Sequence, residues 1–118
     1  MTVAGHRHER IATEIQHEVG VMLAGELKDP RLATLATVTE VRVSPDLKQA
    51  RIFVSVMGTE AEQASALKGL FAASPYIRRQ LSERLSMRRA PDLYFVLDHS
   101  QEYVQQIDEL LRRTKPPV

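Results

Sequence analysis

Five arginines and a single acid lie in the fourteen residues RRQLSERLSMRRAP, from Arg78 to Pro91. This segment has a net charge of +4, whereas the rest of the chain, with eleven of the sixteen basic and fourteen of the fifteen acidic residues, has a net charge of −3. An arginine guanidinium binds phosphate oxygens through paired hydrogen bonds and stacks on bases. The charge asymmetry therefore indicates a surface that binds a polyanion.

The same arginines also fit a purely structural interpretation. Basic residues at the C-terminal end of a helix are favoured by the helix dipole, and a short basic run is a motif of low specificity. Arg79 and Glu83 are spaced i, i+4, so that Glu83 can partly neutralise Arg79. A solvated helix face and a polyanion-binding face are therefore about equally compatible with the sequence.

Other residues that could do chemistry form only weak patterns. His6 and His8 could hold a metal ion, but zinc needs three or four ligands and no third ligand is near in sequence. The chain has no cysteine and its five glycines are scattered, which excludes thiol chemistry and a Walker-type phosphate loop. Paired carboxylates for hydrolysis would have to come from aspartates, three of which adjoin prolines or turns, where Asp makes local hydrogen bonds. These candidates are Asp29, Asp46, Asp92 and Asp98. We predict no catalysis, no metal site and no cofactor.

Length and composition describe one ordinary domain. The chain has 118 residues, 43% of them hydrophobic and 26% charged, with no Trp, so the core must be mostly aliphatic. We expect a single domain over 1–118 with an ordered core at about 6–113 and a flexible tail at 114–118. The sequence shows neither a secretory signal nor a run of the ~18 apolar residues of a spanning helix. We therefore expect a cytoplasmic protein without membrane association.

Hydrophobic periodicity predicts the elements that must position the arginines. An apolar stripe at helical spacing predicts a helix from about His6 to Leu27, with Arg10 on its polar side. Segments rich in Thr and Val, with alternating polarity, predict an antiparallel hairpin from about Leu35 to Met57. A short third strand is predicted in PDLYFVLD and a closing helix in SQEYVQQIDELLRR.

Two helices with a sharp break between them are predicted before the third strand. Thr59 and Glu62 have capping-box spacing at the start of the first helix. Ser74 is a good N-cap and Pro75 suits the first helical position, so a second helix is predicted to begin there. Its free N–H groups and positive dipole end would add a phosphate site. The predicted fold is α+β, a two-layer sandwich in the order α-β-β-α-α-β-α with a mixed three-stranded sheet and a kinked helix pair at Ala73-Pro75.

Four segments resemble the ribosome-binding factor A (RbfA) family, over about residues 7 to 111. They are RHERIATEIQHEVGVMLAGELKDPRL, ATVTEVRVSPDLKQARIFVSV, YIRRQLSERLSMRRAPDLYFVLD and IDELL, of which the middle two are specific. The resemblance implies a KH-like fold of the second type, in agreement with the predicted element order. It also implies a bacterial assembly factor that binds 16S rRNA and its precursor on the free or immature small (30S) ribosomal subunit. The implied roles are late 30S assembly, maturation of the 5′ end of the rRNA and cold adaptation.

The family also implies a place for the break between the paired helices. KH domains usually hold nucleic-acid backbone with a G-x-x-G loop, which this sequence lacks. The family has an Ala-x-Gly kink instead, and the matching residues here are Ala73-Ser74-Pro75. Proline in place of glycine removes one N–H and one freely rotating residue. A phosphate at this site would have to use Ser74, the N–H groups of Tyr76 and Ile77, and the arginines.

We therefore predict a non-enzymatic, monomeric RNA- and ribosome-binding factor without a small-molecule substrate. It would favour one rRNA conformation by differential affinity. The rival hypothesis is a protein–protein adaptor whose basic face binds an acidic partner, and a hydrolase is a third. The predicted RNA-binding residues are Arg10, Ser74, Tyr76, Arg78, Arg79, Arg84, Arg88 and Arg89.

Overall fold

The computed structural model describes residues 7–32, 36–99 and 110–111. Helix α1 spans Arg7–Val21 and continues into a π-helical turn at Met22–Glu26, and a 3₁₀ turn follows at Pro30–Leu32. Strands β1 (Ala36–Val43) and β2 (Gln49–Val56) precede helix α2 (Glu60–Arg84) and strand β3 (Asp92–Leu97). The predicted small α+β architecture with a mixed three-stranded sheet is thereby confirmed. Leu110 and Leu111 are helical, whereas the rest of the predicted closing helix lies outside the described residues.

Strand β2 is the central strand of the sheet. It pairs antiparallel with β1, in a register that places Arg42 opposite Arg51, and an irregularity interrupts this pairing between Val38 and Glu40. It pairs parallel with β3, so that Arg51 also lies beside Tyr94. The parallel connection runs through α2, as a crossover between parallel strands requires.

The core lies between the two helices and one face of the sheet. Each strand alternates, so that one face is apolar and buried and the other is largely polar. No helix in the described ranges has the length and apolar character needed to cross a bilayer. The fully buried side chains that meet in the core include Ile15, Val19, Met22, Ile52, Val54, Leu70, Ile77 and Leu81.

Helix α2 is continuous, so the prediction of a second helix beginning at Ser74 is wrong. The Ser74 hydroxyl caps no helix and instead donates to the carbonyl of Leu70, one turn earlier, at 3.2 Å. Pro75 sits inside the helix and has no N–H to donate, a local cost of roughly 3 kcal/mol. The helix persists because its apolar stripe is buried on both sides of the proline, with Leu70 and Ile77 both fully enclosed.

The start of α2 is capped as the sequence predicts. The Glu62 N–H donates to the Thr59 hydroxyl at 3.1 Å, and the Thr59 N–H donates to the Glu62 carboxylate at 2.9 Å. These bonds, chiefly the one from the Thr59 backbone, hold the pKa of Glu62 below its ordinary value. The capping box therefore fixes where α2 leaves the hairpin.

Helix α2 approaches the 3₁₀ turn closely at Gly69. A Cβ atom added to this buried glycine would lie 3.2 Å from the Cβ of Arg31 and 3.3 Å from the side chain of Leu32. Gly20, on α1, has no atom within 4 Å of the corresponding position. These two glycines therefore differ: a side chain at position 69 would press on the 3₁₀ turn, whereas one at position 20 would meet open space.

Candidate nucleic-acid interface

The structure divides the predicted arginines into two groups. Arg78 and Arg84 are engaged by other parts of the protein. Arg79, Arg88 and Arg89 are exposed, and their side chains form no hydrogen bond or ion pair with any residue that the structure describes. We call these last three the free arginines, because their guanidinium groups are available to an external ligand.

Arg78 holds the segment that leads into β3. Its Nε donates to the carbonyl of Pro91 at 3.1 Å and its Nη2 to the carbonyl of Ala90 at 3.0 Å. Both acceptor residues are buried, and Asp92 adds an ion pair at 3.4 Å. Because the Nε and Nη2 donors of its guanidinium are used inside the protein, we assign Arg78 to a structural group, and its predicted contact with RNA stays a prediction.

Arg84 joins the end of α2 to the end of α1. Its Nη2 donates to the carboxylate of Glu26 in the π-helical turn at 2.6 Å, and its Nη1 donates to Glu18 of α1 at 3.3 Å. The carboxylate of Glu26, and secondarily that of Glu18, raises the pKa of Arg84 above its ordinary value. Two carboxylates thus compensate its charge, so Arg84 also belongs to the structural group.

Two of the free arginines lie on a loop that is shaped by the end of α2. The Met87 N–H donates to the carbonyl of Ser82 at 2.9 Å, and Ser86 has a left-handed φ of 52°. This is the Schellman arrangement, in which glycine usually takes the left-handed position. The chain turns away from the helix at this point, and both Arg88 and Arg89 lie exposed on the loop that follows.

Lys48 joins this basic end of the molecule, and the sequence did not indicate it. It precedes β2 in the hairpin turn, and its carbonyl accepts a bond from the N–H of Asp92 at 2.9 Å. Lys48 and Arg89 line one surface cleft of about 300 Å³. The acids of that cleft are already engaged: Asp92 pairs with Arg78, and Asp46 accepts bonds from the turn. Lys48 and Arg89 precede β2 and β3, which pair in parallel. The proximity of these two residues could therefore have been predicted from the parallel pairing.

The remaining predicted site residues are dispersed. Tyr76 is 39% exposed and lies one turn before Arg79, so the two share a face of α2. Arg79 forms no ion pair with Glu83 in the described structure, so its partial neutralisation by Glu83 stays a prediction. Ser74 and the N–H groups after it belong to the interior of α2, so the predicted phosphate site at a helix start is wrong too. Arg10 is exposed on α1, and the structure places it in contact with none of the others.

These features define a class of protein: a small α+β domain with a basic end suited to a polyanion. The described residues contain no group of three or more acidic or histidine side chains placed to hold a metal ion. Residues 7–111 match the family model of ribosome-binding factor A. The chain belongs to the ribosome-binding factor A family, which confirms the resemblance predicted from its four segments.

Relatives match almost the whole chain. The ribosome-binding factor A of Acetivibrio thermocellus is 44% identical over 108 residues, which cover 92% of this chain and 88% of that protein. The one from Magnetococcus marinus is 44% identical over 112 residues, covering 94% of this chain and 90% of the relative. The crystal structure of ribosome-binding factor A from Thermus thermophilus superposes with a TM-score of 0.68 at 29% identity, covering 76% of this chain and 93% of that one. A homology model of the T. thermophilus protein, fitted into a cryo-EM map of a 30S–RbfA complex, gives a TM-score of 0.62 at 30% identity, covering 75% and 91%.

Proposed function

We propose that this protein binds the small ribosomal subunit, through 16S rRNA or its precursor, and assists the late assembly of that subunit. Membership of the ribosome-binding factor A family carries the proposal. The T. thermophilus relative that was fitted into a map of a 30S complex supports the choice of the small subunit as partner. The basic end described above supports RNA as the component that is contacted.

The free arginines and Lys48 make the phosphate contacts in this proposal. They present exposed positive charge from α2, the loop after it and the hairpin turn. Tyr76 lies one turn from Arg79 and offers an aromatic ring to an unpaired base. Arg10, on α1, is a separate and more distant contact with the same RNA.

The mechanism that we propose is positional rather than catalytic. A monomer with a KH-like fold of the second type would bind one conformation of the immature rRNA more tightly than the others. A ligand shifts a conformational equilibrium only by its difference in affinity between the states. Binding during late assembly would in this way favour the rRNA conformation from which the 5′ end matures.

A salt titration with two matched variants tests the phosphate contacts. One variant changes the three free arginines to glutamine. The control changes the exposed Arg7, Lys28 and Lys68 to glutamine as well, which removes the same charge from other parts of the surface. Each lost phosphate contact lowers the slope of log K against log[salt] by about 0.7–0.9. Binding to immature 30S subunits should therefore lose about 2–3 units of slope in the first variant and little in the control. A wild-type slope in the first variant would refute these contacts.

Binding to naked 16S rRNA separates this proposal from the adaptor hypothesis. An RNA-binding factor should bind the naked rRNA with a salt dependence similar to that for the subunit. An adaptor should bind an acidic protein of the subunit and show no affinity for the rRNA.

A further inference from the structure

The face of the sheet that points away from the helices carries an arginine–aromatic row. Arg42, Arg51 and Tyr94 lie side by side across β1, β2 and β3 in the register of the sheet. Tyr94 is 45% exposed, the side chain of Arg42 is 70% exposed and Arg51 is exposed. The neighbouring row contains Phe53, which is partly buried, and Val96, which is 37% exposed. Nothing in the basic end described above uses this face.

The charges on this face leave Arg51 uncompensated. Arg42 forms an ion pair with Glu40, and its guanidinium lies 5.8 Å from the ring centre of Phe53. Asp98, near the other end of the face, accepts a bond from the Thr39 hydroxyl at 2.6 Å. Arg51 forms neither a hydrogen bond nor an ion pair among the described side chains, and it lies directly beside Tyr94.

We propose that this row is a second RNA contact, in which Tyr94 stacks on an unpaired base and Arg51 binds an adjoining phosphate. The inference rests on the proposed function and extends it to single-stranded rRNA. Neighbouring strands are about 4.8 Å apart, so a ring and a guanidinium on adjacent strands are both within reach of one nucleotide. Exposed aromatic rings bind unpaired bases by stacking, whereas a duplex hides its base faces.

The row is continuous with the basic end of the molecule. Lys48, which shares a cleft with Arg89, immediately precedes β2, and Arg51 follows three residues later on the same strand. Arg42 and Arg51 together line a smaller cleft of about 200 Å³ beside the hairpin turn. One RNA strand can therefore run from the loop of Arg88 and Arg89, past the turn, onto the sheet.

Point variants on the exposed face test the inference with little risk to folding. Tyr94→Leu removes the ring, whereas Tyr94→Phe keeps it and serves as the control. Arg51→Gln removes the charge, and Arg51→Lys keeps it without the planar fork. The probes are a single-stranded RNA dodecamer, a duplex of the same sequence and the immature 30S subunit.

Stacking predicts that Tyr94→Leu weakens binding of the single-stranded RNA by roughly ten- to a hundredfold, while Tyr94→Phe stays near wild type. Arg51→Gln should lower the salt slope by about 0.7, and duplex binding should change little with either Tyr94 variant. Binding of the immature subunit should weaken with Tyr94→Leu in the same direction as binding of the dodecamer.

The outcomes separate this inference from the proposed function. If the wild type binds the subunit and the free-arginine variant does not, but Tyr94→Leu and Arg51→Gln bind both RNA and subunit normally, the row is no RNA contact and the proposed function stands. Loss of subunit binding with wild-type affinity for the dodecamer would mean that a protein occupies this face, which also overturns the inference. If the wild type binds the dodecamer as predicted but no subunit, the proposed function fails and the stacking site stands.

Discussion

Replacing Arg78 by glutamine removes two hydrogen bonds from a charged donor to the carbonyls of Ala90 and Pro91. Both acceptors belong to buried residues. Glutamine is too short to reach these two carbonyls, so the substitution leaves them without the donor that Arg78 supplies. A hydrogen bond that involves a charged group contributes about 1.5–3 kcal/mol. The Arg78 side chain is 35% exposed, and water can therefore recover part of this. We expect a loss of about 2–3 kcal/mol in the free energy of unfolding.

The adjacent Arg79→Gln variant is the matched control. Arg79 lies on the same helix, is exposed and has no partner among the described residues, so its replacement should change stability by no more than about 0.5 kcal/mol. For a domain of this size, 1 kcal/mol corresponds to about 4 °C in Tm, so Arg78→Gln should melt roughly 8–12 °C below the wild type.

Urea and thermal denaturation of the two variants, followed by circular dichroism, measure the difference. RNA binding should respond in the opposite order: Arg79→Gln should weaken binding, while folded Arg78→Gln should bind nearly as well as the wild type. Equal melting of the two variants would refute the assignment of Arg78 to the structural group. A larger loss of RNA affinity in Arg78→Gln would refute it as well.

Three further predictions concern the helices. Gly20→Ala should stabilise the protein by about 0.5–1 kcal/mol in urea denaturation, because its Cβ meets open space, whereas Gly69→Ala should not gain this because its Cβ presses on the 3₁₀ turn. Glu62→Gln should be less stable than the wild type at neutral pH. Because the native pKa of Glu62 is lowered, this difference should disappear as the pH falls below 4.5, its ordinary value, in denaturation at several pH values. Pro75→Ala should raise the stability by about 1–2 kcal/mol by restoring an N–H to α2, and a lower Tm would show that the packing requires proline.

The hairpin and the capping box could be predicted from the sequence because their determinants are local. Alternating polarity over a few residues placed the hairpin at about 35–57, and the structure has its strands at Ala36–Val43 and Gln49–Val56. The capping box needs only Thr59 and Glu62, three residues apart. In both cases, the residues that decide the structure are also the residues that adopt it.

The prediction of a helix break at Ser74 was wrong because it rested on the local preference of Ser-Pro alone and left out the burial of the helix on both sides of the proline. Ser-Pro suits a helix start, but the same dipeptide is tolerated inside a helix when both halves are buried. The apolar stripe of α2 does continue across the proline at spacings of three and four residues. Its members are Ala66, Leu70, Ala73, Ile77 and Leu81. This unbroken periodicity was the signal that indicated a single helix.

The sequence identifies the arginines, but it does not show which of them are engaged inside the protein and which are free, because that depends on contacts between residues far apart in the chain. Arg84 is compensated by Glu26 and Glu18, which lie 58 and 66 residues away, and no helical wheel shows such partners. Arg78 is held by a loop that only the crossover to β3 brings back to α2.

The contacts of Arg78 and Arg84 change what the charge of the segment predicts. A net charge of +4 suggests that all five arginines reach RNA, but Arg78 holds the loop that leads into β3 and Arg84 joins the end of α2 to the end of α1. The three free arginines and Lys48 remain, and at about 0.7–0.9 per contact they predict a total salt slope of about −2.8 to −3.6 from the basic end. A wild-type slope steeper than this would require contacts beyond the basic end, either from Arg10 or from the arginine–aromatic row, where Arg51 lies beside the exposed ring of Tyr94.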